Sequence, residues 1–156
     1  MKGTGFFRMI SNPVFLSAFF SWFTAQLIKL IINILKRRIH SSKGAVTSLL
    51  WTTGGMPSSH SSAVAALASS VGYTKGVDSP LFITLLVYGL IVVRDALGVR
   101  KAAGHQARSL NSLGKELSVR YNVQYRPVKE INGHNVSEVS VGILLGFFIA
   151  TAFCNL

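Results

Sequence analysis

The chain is 156 residues long, enough for one domain and too short for two. Hydrophobic residues make up 49% of it, charged residues only 13%, and the mean hydropathy is +0.44, values that exclude an ordinary soluble domain and point to segments dissolved in lipid. Sixteen Lys and Arg against five acids leave a formal charge of +11, a balance suited to anionic lipid headgroups or phosphorylated substrates. Nucleic acid is not an expected partner, because the basic residues carry no reader motif.

The N-terminus has a basic start and a long apolar run without a small-residue cleavage site, so it reads as a retained span and not a signal peptide. That first span covers about 13–35. Within it Gln26, Lys29 and Asn33 recur at spacings of three and four, a polar stripe expected to face other helices and not lipid. Lys29 has two readings: a site residue, or a side chain snorkelling to the membrane surface. His40 and, further on, His105 lack a distinctive context and read as surface residues.

Next comes "GGMPSSHSSAVAALA", residues 54–68. Gly54 and Gly55 permit backbone conformations closed to other residues, Pro57 suits entry into a helix, and Ser58 or Ser59 can serve as N-cap. A helix start with spare N–H groups attracts anions, and His60 beside it can give a proton to a departing alkoxide. The plainer reading is an ordinary cap with a surface histidine. The helix that follows, about 59–74, is built largely of Ala, Ser, Val and Gly, and is predicted to lie inside a bundle where small side chains let backbones approach.

The third span is predicted over 81–98 and is followed by a polar insertion, about 99–133. "VVRDALGVRK" places Arg94 and Asp95 at its edge, with Arg100 and Lys101 beyond. Arginine matches phosphate oxygens with a planar fork, but a charged helix end can also serve only as a headgroup anchor. Asp95 is expected to hold Arg94, Arg100 or a histidine in place, since a carboxylate at the membrane edge is costly unless paired. Ala103, Ala107, Leu110, Leu113 and Leu117 recur at helical spacing and predict an amphipathic helix on the membrane or capping the bundle. The stretch containing Pro127 and Gly133 reads as loop.

The fourth span, about 136–156, opens with "NGHNVSEVSVGILLG". Glu138 lies four residues after His134 and can orient its ring, making the other nitrogen more basic, as a nucleophile requires. Asn135 to Glu138 is equally a capping-box pattern, in which Glu138 bonds the backbone of the helix start. Cys154, the single cysteine, forms no internal disulfide and reads as a packing residue.

If the four spans alternate, twelve of the sixteen basic residues gather on one side, together with His60, His105 and His134. The positive-inside rule makes that side cytoplasmic. The expected architecture is therefore all-α: residues 1–156 form a single membrane-embedded domain, a four-helix bundle with an additional amphipathic helix between the third and fourth spans, in the cytoplasmic membrane.

"QLIK", "TGGMPSSHSS", "RDALGVRKAAGHQA" and "KEINGHNVSEVSVGILLG", in this order, resemble the type 2 phosphatidic acid phosphatase superfamily. The resemblance is closest to its divergent branch, described as acid phosphatase or vanadium-dependent haloperoxidase related. "PSSH" resembles that superfamily's Pro-Ser-Gly-His motif, with Ser59 in place of glycine, which implies that His60 is the general acid. "HNVSE" resembles the motif of a nucleophilic histidine followed four residues later by aspartate, with Glu138 in that place, which implies that His134 attacks phosphorus. The superfamily's Ser-Arg pair before the nucleophile is absent, so Arg94 or Arg100 would substitute for it. The first motif, a lysine with Arg-Pro seven residues on, is echoed only by Lys29 with Lys36 and Arg37.

The expected function is hydrolysis of a phosphate monoester, in particular of a lipid, through a phosphohistidine. His134, His60 and Glu138 are the catalytic residues, Lys29, Arg94, Arg100, Ser58, Ser59 and Gly55 bind phosphate, and Asp95 orients. No metal-ligand spacing is visible, so neither metal nor cofactor is expected. The rival expectation is a non-catalytic membrane protein that binds or moves a phospholipid or polyprenyl phosphate in the same anion pocket. Expected partners are the phosphorylated lipid and membrane lipids; a homo-oligomer is compatible with the sequence.

Overall fold

The computed structural model describes residues 4–36, 55–130 and 133–155, so Arg37, His40 and Gly54 lie outside the described residues. Helices α1 (Thr4–Ile10) and α2 (Pro13–Leu35) are followed by α3 (Ser59–Lys75) and α4 (Pro80–Arg94). A single π-helical turn, Asp95–Val99, then joins α4 directly to α5 (Arg100–Tyr121), and α6 (Val136–Asn155) closes the described chain. There is no strand among the described residues.

The helix starts follow from local chemistry. Asn12 Oδ1 accepts from the Val14 N–H at 2.9 Å with Pro13 in the first turn, and Ser79 Oγ accepts from Phe82 N–H at 3.2 Å ahead of Pro80. Proline in the first turn loses only a donor that has no helical partner there. Of the two serines open as cap for α3, Ser58 takes the role.

Among the described residues, three helical stretches are long and apolar enough to cross a membrane: Pro13–Leu35, Pro80–Tyr121 and Val136–Asn155. Their packing agrees with a lipid solvent. Large apolar side chains face outward, with Leu90 63%, Phe148 64% and Phe19 46% exposed, while the interior holds Ser17, Ser21, Ala25, Ser62, Ala66 and Ala150, all at 0%. Lipid offers apolar side chains no incentive to hide, so close backbone approach and interhelical hydrogen bonds hold such helices together.

Helix α3 is central and packs on α2, α4 and α6. Ser62 Oγ shares a hydrogen bond with Ser21 Oγ of α2 at 2.5 Å. Gly142 and Gly146 of α6 rest directly on the backbone of Ser58 and Ser62. A side chain at either glycine would hold the helices apart.

The amphipathic segment is one continuous helix with α4, and not a separate element. At 42 residues, α4, the π turn and α5 together run about 63 Å, twice the roughly 30 Å hydrocarbon core, so half of this rod must leave the lipid. In α5 the buried residues are Gly104, Asn111 and Gly114, while Leu110, Leu113 and Leu117 are exposed. The chain turns at Asn122, in left-handed conformation, and returns along α5: Asn111 Nδ2 donates to Val128 O at 3.0 Å and to Glu130 Oε1 at 2.8 Å, and its Oδ1 accepts from Val128 N–H at 2.9 Å. The ring of Tyr125 lies against Gly114, and its hydroxyl also donates to Asn111 Oδ1.

Candidate phosphate site

The start of α3 is buried: Pro57, Ser58 and Ser59 are covered by neighbouring helices. Ser58 N–H donates to Glu138 O at 2.9 Å, and Gly142 lies against the Ser58 carbonyl, so the first turns of α3 and α6 are fastened together. From α2, Lys29 Nζ donates to Ser59 Oγ at 3.2 Å. Lys29 is only 3% exposed, which rules out snorkelling here, and the Glu138 carboxylate lies within its electrostatic reach. A buried cation needs such a partner.

His134 is fixed from both ends. Gly133 sits so close to the backbone of Lys101 that a Cβ would come within 2.5 Å of its Cα, and the His134 N–H donates to Ala96 O at 3.1 Å. The ring Nδ1 lies 2.8 Å from Glu138 Oε2, and the same oxygen accepts the Asn135 N–H at 3.2 Å. Thus the two roles open for Glu138, orienting the ring and closing a capping box, are filled by one oxygen at once. An ionised carboxylate only accepts, so in the neutral ring the proton sits on Nδ1 and the lone pair on Nε2.

The π turn sets the third group. Residues five apart lie on different faces of an α-helix, but the i→i+5 bonding of a π turn brings them nearly in line. Arg100 N–H donates to Asp95 O in this way, and the side chains follow: Arg100 Nε donates to Asp95 Oδ2 at 2.7 Å. Among the three partners open for Asp95, the structure places Arg100 in contact.

His60, His134, Asp95 and Arg100 line one cavity of about 300 Å³, whose remaining wall is Tyr88, Ile91, Val92 and Ala96. His134 is 5% exposed while His60 is exposed at the mouth. Arg100, Lys29 and His134 all stand within electrostatic reach of His60. Lys29, Ser58, Ser59 and Glu138 form the layer behind the wall. Two residues named from sequence stand apart. Arg94 is exposed and does not line the cavity, being about 100° around the helix from Asp95. Gly55, at φ +80°, is also exposed and outside it, ahead of the cis Met56–Pro57 peptide. Asn33 is half-buried, Lys36 and His105 are exposed, and Gln26 is buried with its Oε1 unpartnered.

Sequence reasoning passed over Tyr88, Ile91 and Val92. The signal was present, since with Asp95 they occupy positions i, i+3, i+4 and i+7, one face of a helix.

Residues 10–149 match the family described as Divergent PAP2 family, and the chain belongs to it. The uncharacterized membrane protein YuiD of Bacillus subtilis (strain 168) is 35% identical over 154 residues, covering 91% of this chain and 94% of its own. No solved structure matches the chain. The family and the three apolar helices make this a multi-pass membrane protein.

Proposed function

We propose that the protein is a membrane phosphatase that hydrolyses the phosphate monoester of a lipid through a phosphohistidine. The observation that carries this reading is the convergence of His60, His134 and Arg100 on one cavity, with His134 Nδ1 held by Glu138. In this reading residues 1–156 are one domain, α3 is a fourth and shorter crossing, and the basic face is cytoplasmic. His134 Nε2 attacks phosphorus. The P–O bond to the alkoxide breaks as His60 supplies its proton. Arg100, with Lys29 behind it, offsets charge on the equatorial oxygens. Water then attacks the phosphohistidine with His60 as base, returning His134 and inorganic phosphate.

Purified protein is expected to release phosphate from phosphatidic acid in vesicles, and vanadate, which mimics the five-coordinate phosphorus, is expected to inhibit it. Absence of release from every lipid phosphate tried would overturn the reading. Glu138→Gln is expected to lower kcat by about 10²-fold, because an amide neither fixes the tautomer nor stabilises the ring's charge. Phosphate release measured on the vesicles checks it.

One observation favours the non-catalytic alternative. Arg100 is the arginine lining the cavity among the described residues, and Asp95, which engages it, also faces the cavity and repels phosphate. Saturable lipid phosphate binding with no acid-labile phosphoprotein after quenching would decide for that alternative.

A further inference from the structure

Beside the cavity runs a second, apolar depression. Its walls are α3, from Ser61 to Ser69, and α4, from Phe82 to Val93, with Ile143 of α6 at the floor, enclosing about 220 Å³. Ser69 and Phe82 also line the next depression, about 320 Å³, which continues to Tyr73, Val77 and Phe147. The two form one groove. It begins at the residue after His60 and follows α3 from Ser61 to Tyr73, thirteen residues and about 18 Å by helix rise.

Helix α4 contributes to both sites. Tyr88, Ile91, Val92 and Asp95 face the cavity, while Leu85, Leu86, Gly89 and Leu90 face the groove. Leu86 and Leu90 are 48% and 63% exposed, so the groove opens sideways toward the bilayer. A cationic, imidazole-bearing hollow at one end and a lipid-accessible apolar channel beyond it are complementary to a single amphiphile with an anionic head.

We propose that the α3–α4 groove seats one hydrocarbon chain of a lipid phosphate whose head occupies the His60–His134 cavity. The inference deepens the phosphatase reading and rests on it for the identity of the head. An extended chain with bonds of about 1.5 Å and tetrahedral angles advances about 1.25 Å per carbon, so the groove holds about fourteen carbons. The lipid reaches it without its tail leaving hydrocarbon. The gain over a free bilayer position therefore comes from shape and from the tethered phosphate, and not from hydrophobic transfer.

The test uses full-length protein in phosphatidylcholine vesicles containing a phosphatidic acid with a diazirine at mid-chain. After irradiation, label is expected on the α3 and α4 walls, displaced by plain phosphatidic acid and not by diacylglycerol. Ala68→Phe and Leu86→Trp fill the groove from opposite walls and are each expected to cut this labelling by about tenfold or more, the scale of forcing bulk into an occupied apolar site. They are also expected to raise KM for phosphatidic acid while leaving kcat and KM for p-nitrophenyl phosphate unchanged. Label spread evenly over α2, α4 and α6, or displaced equally by diacylglycerol, would mean ordinary boundary lipid and overturn the proposal. So would an unchanged KM in both variants. Groove labelling without any phosphate release leaves the groove standing and removes the phosphatase reading.

Discussion

His134→Ala is expected to reduce phosphate release from phosphatidic acid by about 10³-fold or more and to abolish the acid-labile phosphoprotein. Nothing else in the cavity offers an imidazole oriented by a carboxylate: His60 has no such partner among the described hydrogen bonds, and Arg100 has no lone pair to give. The substitution should leave the fold intact, because Glu138 keeps the Asn135 N–H and the nearby Lys29, and the backbone bond to Ala96 does not need the ring. His60→Ala is expected to behave differently. With no proton donor, release from an alkyl phosphate falls far more than release from p-nitrophenyl phosphate, whose leaving group departs as a stable anion. Equal losses on both substrates in the His60 variant would remove it from the acid role; undiminished release in the His134 variant would remove the nucleophile.

Gly142→Val is expected to have the largest effect on stability. Even a Cβ there would come within 2.5 Å of the Ser58 carbonyl oxygen, and the Ser58 nitrogen and carbonyl carbon stand at 3.2 and 3.3 Å. These are backbone atoms at a helix start, which cannot rotate aside as a side chain would. Overpacking costs about 1–3 kcal/mol, and a β-branched residue against backbone belongs at or above the upper end, a Tm loss on the order of 5–10 °C in detergent. The damage should not stop at stability. The Ser58 N–H to Glu138 carbonyl bond joins the turn carrying His60 to the turn orienting His134, so wedging α3 from α6 separates the two imidazoles as well. Gly5→Ala is the control, since a Cβ there meets nothing within 4 Å. Thermal unfolding and phosphate release measured on both variants check this, and a Gly142 variant as stable and active as Gly5→Ala would refute it.

The apolar helices were legible in the sequence because lipid demands long unbroken runs, and α2 and α6 follow those runs closely. The junction after α4 was not. The third span reads as ending near residue 98 because charge marks the edge of hydrocarbon, yet backbone hydrogen bonding does not stop where polarity begins, and the helix continues to Tyr121. Periodicity found the stripe of Leu110, Leu113 and Leu117 but could not tell that Asn111 and Gly114 would be covered by a returning segment. Such covering depends on contacts from residues 11 to 19 positions away. The histidines and Glu138 stood out because they sit at helix starts at helical spacing. The choice between Arg94 and Arg100 did not, because a π turn alters the register of all that follows and leaves no mark on hydropathy.

That extra residue per turn makes the junction behave like a ratchet tooth. Rewinding Asp95–Val99 as ordinary α-helix, with no residue removed, would rotate α5 by about 100° relative to α4. Arg100 would swing away from its carboxylate, and Gly104, Asn111 and Gly114 would turn from the strap that docks on them. The rod can thus tolerate changed side chains along its length more readily than a changed winding at its midpoint, where phase, and not composition, is what the site requires.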